Sequence, residues 1–227
     1  MEDEYNVAWI DADQDTDAWL ELRIGKIGGS TIGKVMARFG KEFGKPAHDV
    51  AYRVALETLS GERVENSFTN KHTERGNIQE PIARKLYEEV TGYKVTNGGF
   101  FDIDTFLGFS PDGLVAEDGM IEIKSVIKRV HDKTIKRWKY DPKYKWQMIY
   151  SLKYSKREWI DYVEYCSDYP LGDQLFIDRI WAEDVKEEYA MIDTRIEEFL
   201  PLIHNEISGI LDYSETEVKE VNNKCVI

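Results

Sequence analysis

Ser110-Pro111-Asp112, nine intervening residues, and then Glu122-Ile123-Lys124 is the stretch whose reading decides the fold. Residues 106–116 (Phe-Leu-Gly-Phe-Ser-Pro-Asp-Gly-Leu-Val-Ala) and 120–126 (Met-Ile-Glu-Ile-Lys-Ser-Val) both read as strands. Glu117-Asp118-Gly119 between them is a turn signal of the Asp-Gly type, which joins adjacent antiparallel strands. Side chains alternate along a strand, so Glu122 and Lys124 share a face, with Met120, Ile121 and Ile123 as apolar neighbours. The hairpin can bring that face beside Asp112. Two carboxylates and an ammonium at a strand end suit a divalent hard cation beside a phosphate. The same residues also fit a plain Pro-Asp-Gly turn followed by a solvated strand face. The rest of the chain has to separate the two readings.

Length and composition set the frame. With 227 residues, 42% hydrophobic and 12% aromatic, the chain has enough material for one folded domain. We place that domain at 1–213 and a polar, frayed tail at 214–227. No apolar run approaches membrane length, and the acidic start Met-Glu-Asp-Glu-Tyr has none of the regions of a signal peptide. Two cysteines, Cys166 and Cys225, cannot build a disulfide framework or a four-cysteine metal cluster. The expectation is an intracellular protein of a reducing compartment.

The net charge of −13 argues at first sight against a nucleic-acid partner, but placement matters more than the total. Residues 124–146 hold nine Lys or Arg against two Asp, so this window carries +7 and the remainder −20. Trp138, Tyr140, Tyr144 and Trp146 are interleaved with the cations. A phosphate-facing patch and a solvated lysine-rich helix both fit this pattern, and adjacency to the carboxylate hairpin favours the patch.

Along the chain, the opening ten residues show little regularity. Asp15-Thr16-Asp17 caps a short helix that stops at Gly25, and Ser30 is placed to cap a second helix near Thr31–Arg38. Helical spacing follows over 47–60, with Gly61 as the stop, and over about 74–91, where Pro81 predicts a kink or break. Short strands are expected at 93–96, 99–104, 106–116 and 120–126, then helices at 127–138 and 142–154. Strands at 158–166 and 174–182 precede a long helix, 183–212, with Pro201 as a further kink. This is a mixed α/β core with a central sheet flanked by helices.

Three further groups are candidates. Glu80 could turn from its helix toward the strand end as a third metal oxygen, or be a surface glutamate. Gln147 could hold a phosphate or a water, or be a helix-surface amide. Arg23 and Ser30 flank Ile24-Gly25-Lys26-Ile27-Gly28-Gly29, which reads either as a phosphate nest at a helix start or as a helix–helix connection. His48, His72, His131 and His204 are scattered, and there is no nucleophile elbow, Walker loop or dinucleotide fingerprint.

Taken together, Trp19–Ser30, Gly76 with Glu80, Ser110-Pro111-Asp112-Gly113, Glu122-Ile123-Lys124 and Trp146-Gln147-Met148 resemble the lambda-exonuclease-type (YqaJ-like) phage recombination nucleases. These are a branch of the PD-(D/E)xK superfamily, and the resemblance runs from about Trp19 to Leu211. It implies a restriction-endonuclease-like core and a 5′→3′ exonuclease that loads on double-stranded DNA ends and leaves a 3′ single strand. Partners implied are a homotrimer ring and a phage single-strand annealing protein. Glu80, Asp112, Glu122 and the Ile123 carbonyl would hold one or two Mg²⁺, with Mn²⁺ as a substitute. Lys124 would help deprotonate the attacking water, its ammonium form being disfavoured beside metal ions. Arg23, Ser30, Ser110 and Gln147 map around the 5′-terminal phosphate, and Lys128, Arg129, Lys133, Lys136 and Arg137 would grip the DNA backbone. A site-specific endonuclease of the same superfamily, a decayed DNA-end-binding module and an acidic adaptor are the other readings considered.

Overall fold

The computed structural model describes residues 5–64, 71–170 and 172–224, which leaves Cys225 outside the described residues. In chain order its first half forms β1 (Ala8–Ile10), α1 (Asp17–Glu21), α2 (Gly29–Met36), α3 (Lys45–Ser60), α4 (Lys71–Thr91) and β2 (Val95–Thr96). Next come β3 (Phe100–Asp104), β4 (Leu107–Phe109), β5 (Gly113–Val115), β6 (Gly119–Ser125) and α5 (Lys128–Arg137). A 3-10 turn at Pro142–Tyr144 leads into α6 (Lys145–Ser155), then β7 (Trp159–Tyr165), β8 (Leu175–Trp181) and α7 (Lys186–Lys224).

Two sheets result. The larger is mixed, in the order β2-β5-β6-β7-β8, with β6 and β7 parallel and every other pair antiparallel. A parallel pair needs a long crossover, and α5 and α6 supply it. The smaller sheet, β1-β3-β4, is antiparallel. β7 lies between β6 and β8, and every one of its residues is buried. Alternation sends Ile160 and Tyr162 into a core shared with α2, α3, α6 and α7, while Trp159, Val163 and Tyr165 join Ala83 and Tyr87 of α4 on the opposite face. Helices therefore cover both faces of the sheet, as the sequence pattern predicts.

Three charged side chains inside this core, Asp161, Glu164 and Arg195, are paired. Asp161 accepts from the Tyr87 hydroxyl at 2.7 Å and from Arg179 Nε and Nη2 at 2.7 and 2.8 Å. Glu164 accepts from Tyr162 at 2.5 Å and Thr134 at 3.0 Å, and lies 3.0 Å from His131 Nδ1, so α5 is tied to β7. Arg195 of α7 donates to the carbonyls of Val35, Ala37 and Lys41, which fastens the end of α2 to the long helix.

Several boundaries differ from the sequence expectation. Ala8–Ile10 is a strand despite its irregular pattern, because β3 supplies the pairing. The expected strand 106–116 is divided between the two sheets, since Pro111 has no N–H to donate to a ladder. Ser30 lies within α2 rather than capping it. Gly28 is the cap residue, and the Thr31 hydroxyl both accepts from its N–H at 2.9 Å and donates to its carbonyl at 3.0 Å. Neither Pro81 nor Pro201 interrupts its helix. An interior proline costs about 3 kcal/mol, and packing of Ala83 and Tyr87 against the sheet outweighs it in α4. The backbone of α7 remains helical to Lys224, into the segment expected to fray.

Asp161 is 1% exposed and holds a guanidinium and a phenol, so removing its carboxylate strands both. Asp161→Ala is expected to lower stability by about 3 kcal/mol, read as a shift of the urea midpoint at unchanged slope. A midpoint within error of wild type would show that the network is dispensable.

Candidate functional site

Pro111 marks the place where the chain leaves one sheet for the other, and Asp112 sits at that step. The segment is held from several sides. The Trp19 indole N–H donates to Ser110 Oγ at 2.9 Å, and Ser110 Oγ in turn donates to the Gly99 carbonyl. Gln14 Nε2 donates to the Pro111 carbonyl at 2.9 Å, and Arg84 donates to the Asp112 carbonyl. Gly98 lies directly beneath: a Cβ there would stand 1.9 Å from the Pro111 carbonyl oxygen.

The Ile123 N–H donates to Asp112 Oδ2 at 2.6 Å, which pins the aspartate to the middle of β6. Glu122, 1% exposed, accepts at Oε1 from both Lys124 Nζ and Gln147 Nε2, each at 2.5 Å. Gln147 reaches it from α6, where its side chain packs on Gly29 of α2. Glu80 approaches from α4, its Oε1 3.7 Å from Arg84 Nη2. The hairpin and helix thus bring together the three residues expected from the motif and the glutamate outside it.

Charge is crowded here. Burial, reinforced by the Asp112 carboxylate, pushes Glu122 up to about 8. The same two causes push Glu80 up to about 7. Burial raises Asp112 as well, opposed by Lys124 and by the Ile123 N–H. Lys124 is shifted upward: burial disfavours its ammonium, but the carboxylates of Glu122 and Asp112 outweigh burial.

The donor set is one of hard oxygens in a buried, negatively charged setting, which fits Mg²⁺ or Mn²⁺. Among the described residues, however, no three His, Cys, Asp or Glu side chains close around one metal-sized point. Glu122 Oε1 is turned to Lys124 and Gln147, and Asp112 Oδ2 to the Ile123 amide.

A cleft of about 350 Å³ opens over the cluster. Arg23, Ser30, Ser110 and Gln147 line it together with Glu80, Asp112, Glu122 and Lys124. The Arg23 guanidinium lies 4.1 Å from the Trp19 ring centroid. Burial disfavours its charged form, as do the neighbouring Arg63 and Arg53 cations. Ser30 is exposed, whereas the Ser110 hydroxyl is engaged within the wall. Gln147 spends its amide on Glu122 instead of facing the basic segment. Ile123 lines a second, adjoining cleft. Lys128, Arg129, Lys133, Lys136 and Arg137 are all exposed on α5 and line neither cleft, whereas His131 and Thr134 turn inward.

Sequence reasoning missed Arg53, Glu57, Arg63 and Asn77, which line the first cleft, and Arg84, which ties Asp112 to Glu80. Arg53 and Glu57 form an i,i+4 ion pair at 2.5 Å, a spacing visible in the sequence. Their place beneath Gly25 is not visible there, since Glu57 Oε2 accepts the Gly25 N–H at 3.0 Å across 32 residues.

Because a backbone carbonyl cannot swing aside, Gly98→Ala is expected to cost about 1–3 kcal/mol by overpacking against Pro111. Chemical denaturation measures it, and an unchanged midpoint would show that the close approach constrains nothing.

The family model for the YqaJ-like viral recombinase domain matches residues 18–158. No curated protein sequence matches the chain significantly. Among solved structures, an alkaline exonuclease (LHK-Exo) from Laribacter hongkongensis is 31% identical, with a TM-score of 0.78 over 88% of this chain and 99% of that one. The structure of LHK-Exo in complex with dAMP matches equally well. A phage related exonuclease from Haemophilus somnus 129PT shares the fold at 17% identity, with a TM-score of 0.61 over 82% of this chain and 96% of that one. The PD-(D/E)xK-type α/β fold expected from the sequence is the fold observed. With a family model matched over more than half its length and a 31% identical relative covered almost end to end, the chain belongs to the YqaJ-like viral recombinase domain family.

Proposed function

We propose that this chain is a DNA exonuclease of phage recombination that digests the 5′-ended strand of linear duplex, 5′→3′, with Mg²⁺ as cofactor and Mn²⁺ as a substitute. One observation carries the reading: Asp112, Glu122, Lys124 and Glu80 line the same cleft as Arg23 and Ser30, in the fold of an alkaline exonuclease. A terminal phosphate held by Arg23 and Ser30 would set the first phosphodiester against the carboxylates. That arrangement favours removal of one nucleotide at a time over internal cutting.

Asp112 and Glu122, with Glu80 and the Ile123 carbonyl, would hold the cation, which when bound polarises the scissile phosphate and acidifies a water. Lys124 Nζ lies beside Glu122, where its ammonium can donate to the reacting phosphate or take part in moving the proton of the attacking water. Gln147 holds Glu122 in place. Arg23, fixed on the Trp19 ring, offers a planar pair of donors to the 5′-phosphate. Ser110 keeps the cleft wall in position through Trp19 and Gly99. The cations on the exposed face of α5 grip the DNA backbone without reading sequence. In the same reading the protein works as a ring-shaped homotrimer and passes the 3′ strand to a single-strand annealing protein.

The test is digestion of linear duplex bearing a 5′-phosphate, labelled to report direction, with Mg²⁺, with EDTA and on a closed circle. Metal-dependent loss of the 5′-phosphorylated strand with the circle intact is expected. Cutting of the circle would indicate an endonuclease, and end binding without digestion a decayed module. Asp112→Ala and Glu122→Ala are each expected to abolish digestion while the far-ultraviolet spectrum is retained; near wild-type rates in either would reject the cation site. Arg23→Ala is expected to shrink the preference for 5′-phosphate over 5′-hydroxyl ends by about tenfold. An unchanged preference would remove Arg23 from the terminal-phosphate pocket.

A further inference from the structure

A second cleft, of about 520 Å³, adjoins the first and shares Asn77, Glu80, Asp112 and Lys124 with it. Its other walls come from different elements: the start of α4, the end of β6, the first turn of α5 and the turn before α6. Two cations that no step above uses, Arg75 and Lys143, line it. Arg75 Nη2 donates to the Ser125 carbonyl at 2.9 Å, but Nε of the same guanidinium is buried with no acceptor among the described residues. Ser125 Oγ, on the residue Arg75 already holds, is likewise buried with no partner among the described residues. Buried donors are almost always paired, so two on neighbouring side chains at a cleft wall point to an acceptor that comes from outside. Lys143 Nζ stands 4.6 Å from the centroid of the Tyr144 ring, whose centroid is 4.8 Å from Lys124 Nζ, so the cationic wall continues to the reactive lysine.

We infer that this second cleft binds the DNA strand on the 3′ side of the scissile bond, with Arg75, Ser125 and Lys143 taking the next backbone phosphate. The assignment rests on the exonuclease reading. If the terminal nucleotide fills the first cleft, the scissile phosphate lies at the four shared residues and the strand must leave through the neighbouring opening. An anionic, oxygen-rich linkage matches a guanidinium, a hydroxyl and an ammonium, and no base-reading group is needed. After each cleavage the newly exposed 5′-phosphate has only to move from the shared residues into the first cleft, while the next phosphate enters the second.

A free nucleotide leaving the site would offer the same phosphate chemistry, and the test separates the two. Single-turnover removal of the first nucleotide is measured on duplexes with either an ordinary phosphate or an uncharged methylphosphonate at the linkage immediately 3′ of the scissile one. For wild type, the neutral linkage is expected to slow the step by about tenfold. Arg75→Ala and, separately, Lys143→Ala should be slow on ordinary DNA and nearly indifferent to the neutral linkage. Because the comparison is made within each variant, partial misfolding scales both rates and leaves the ratio intact. A wild-type enzyme indifferent to the neutral linkage would overturn the assignment and leave the cleft to departing product. So would variants that discriminate as strongly as wild type. A wild-type enzyme inert on ordinary duplex would instead sink the exonuclease reading, and this assignment with it.

Discussion

The hydrogen bond from the Ile123 amide to Asp112 Oδ2, at 2.6 Å, is the contact on which the rest of the site depends. It joins the residue just after the break between the two sheets to the strand that carries Glu122 and Lys124. Without it Asp112 would sit on a two-residue step with only main-chain tethers. With it, the carboxylate is oriented by a strand whose seven residues pair with the fully buried β7. The precision of the site is therefore inherited from the most deeply packed part of the molecule.

A second constraint makes that bond possible. The step at Ser110-Pro111-Asp112 exists because proline cannot donate to a ladder and because Gly98 lets the Pro111 carbonyl come close. Trp19, Gln14 and Arg84 hold the step from three different helices or loops. Ser110, read from sequence as a phosphate ligand, lines the cleft and is also tied into this scaffold. The residues that make the site and those that hold it are interleaved along the chain.

The electrostatics of the interior divide into two kinds. Asp161, Glu164 and Arg195 are buried and fully partnered, and they fasten β8, α5 and α7 to the core. Glu80, Asp112 and Glu122 are crowded together away from water, and burial, joined for Glu80 and Glu122 by the Asp112 charge, shifts their carboxylates upward against the opposing charge of Lys124. Uncompensated charge of this kind is where a protein departs from its own stability optimum, and it coincides with the cleft. The arrangement favours a ligand that brings positive charge.

The sequence by itself determined the chemistry and the local geometry. Strand alternation alone places Glu122 and Lys124 on one face, and the turn at 117–119 returns the chain so that Asp112 can meet them. The helix stop at Gly61 was equally legible, and the residue adopts a positive φ of 68° there. What only the tertiary structure decided depends on contacts far apart in sequence. The division of 106–116 between two sheets, the engagement of Ser110 by Trp19 across 91 residues and the strand at Ala8–Ile10 all follow from distant partners. So do the survival of α4 through Pro81 and the placing of Arg53, Glu57 and Arg75 around the clefts. Local sequence encodes backbone preference and side-chain direction within a few residues. Which of several permitted partners a strand or helix face meets is settled only when the whole core packs at once.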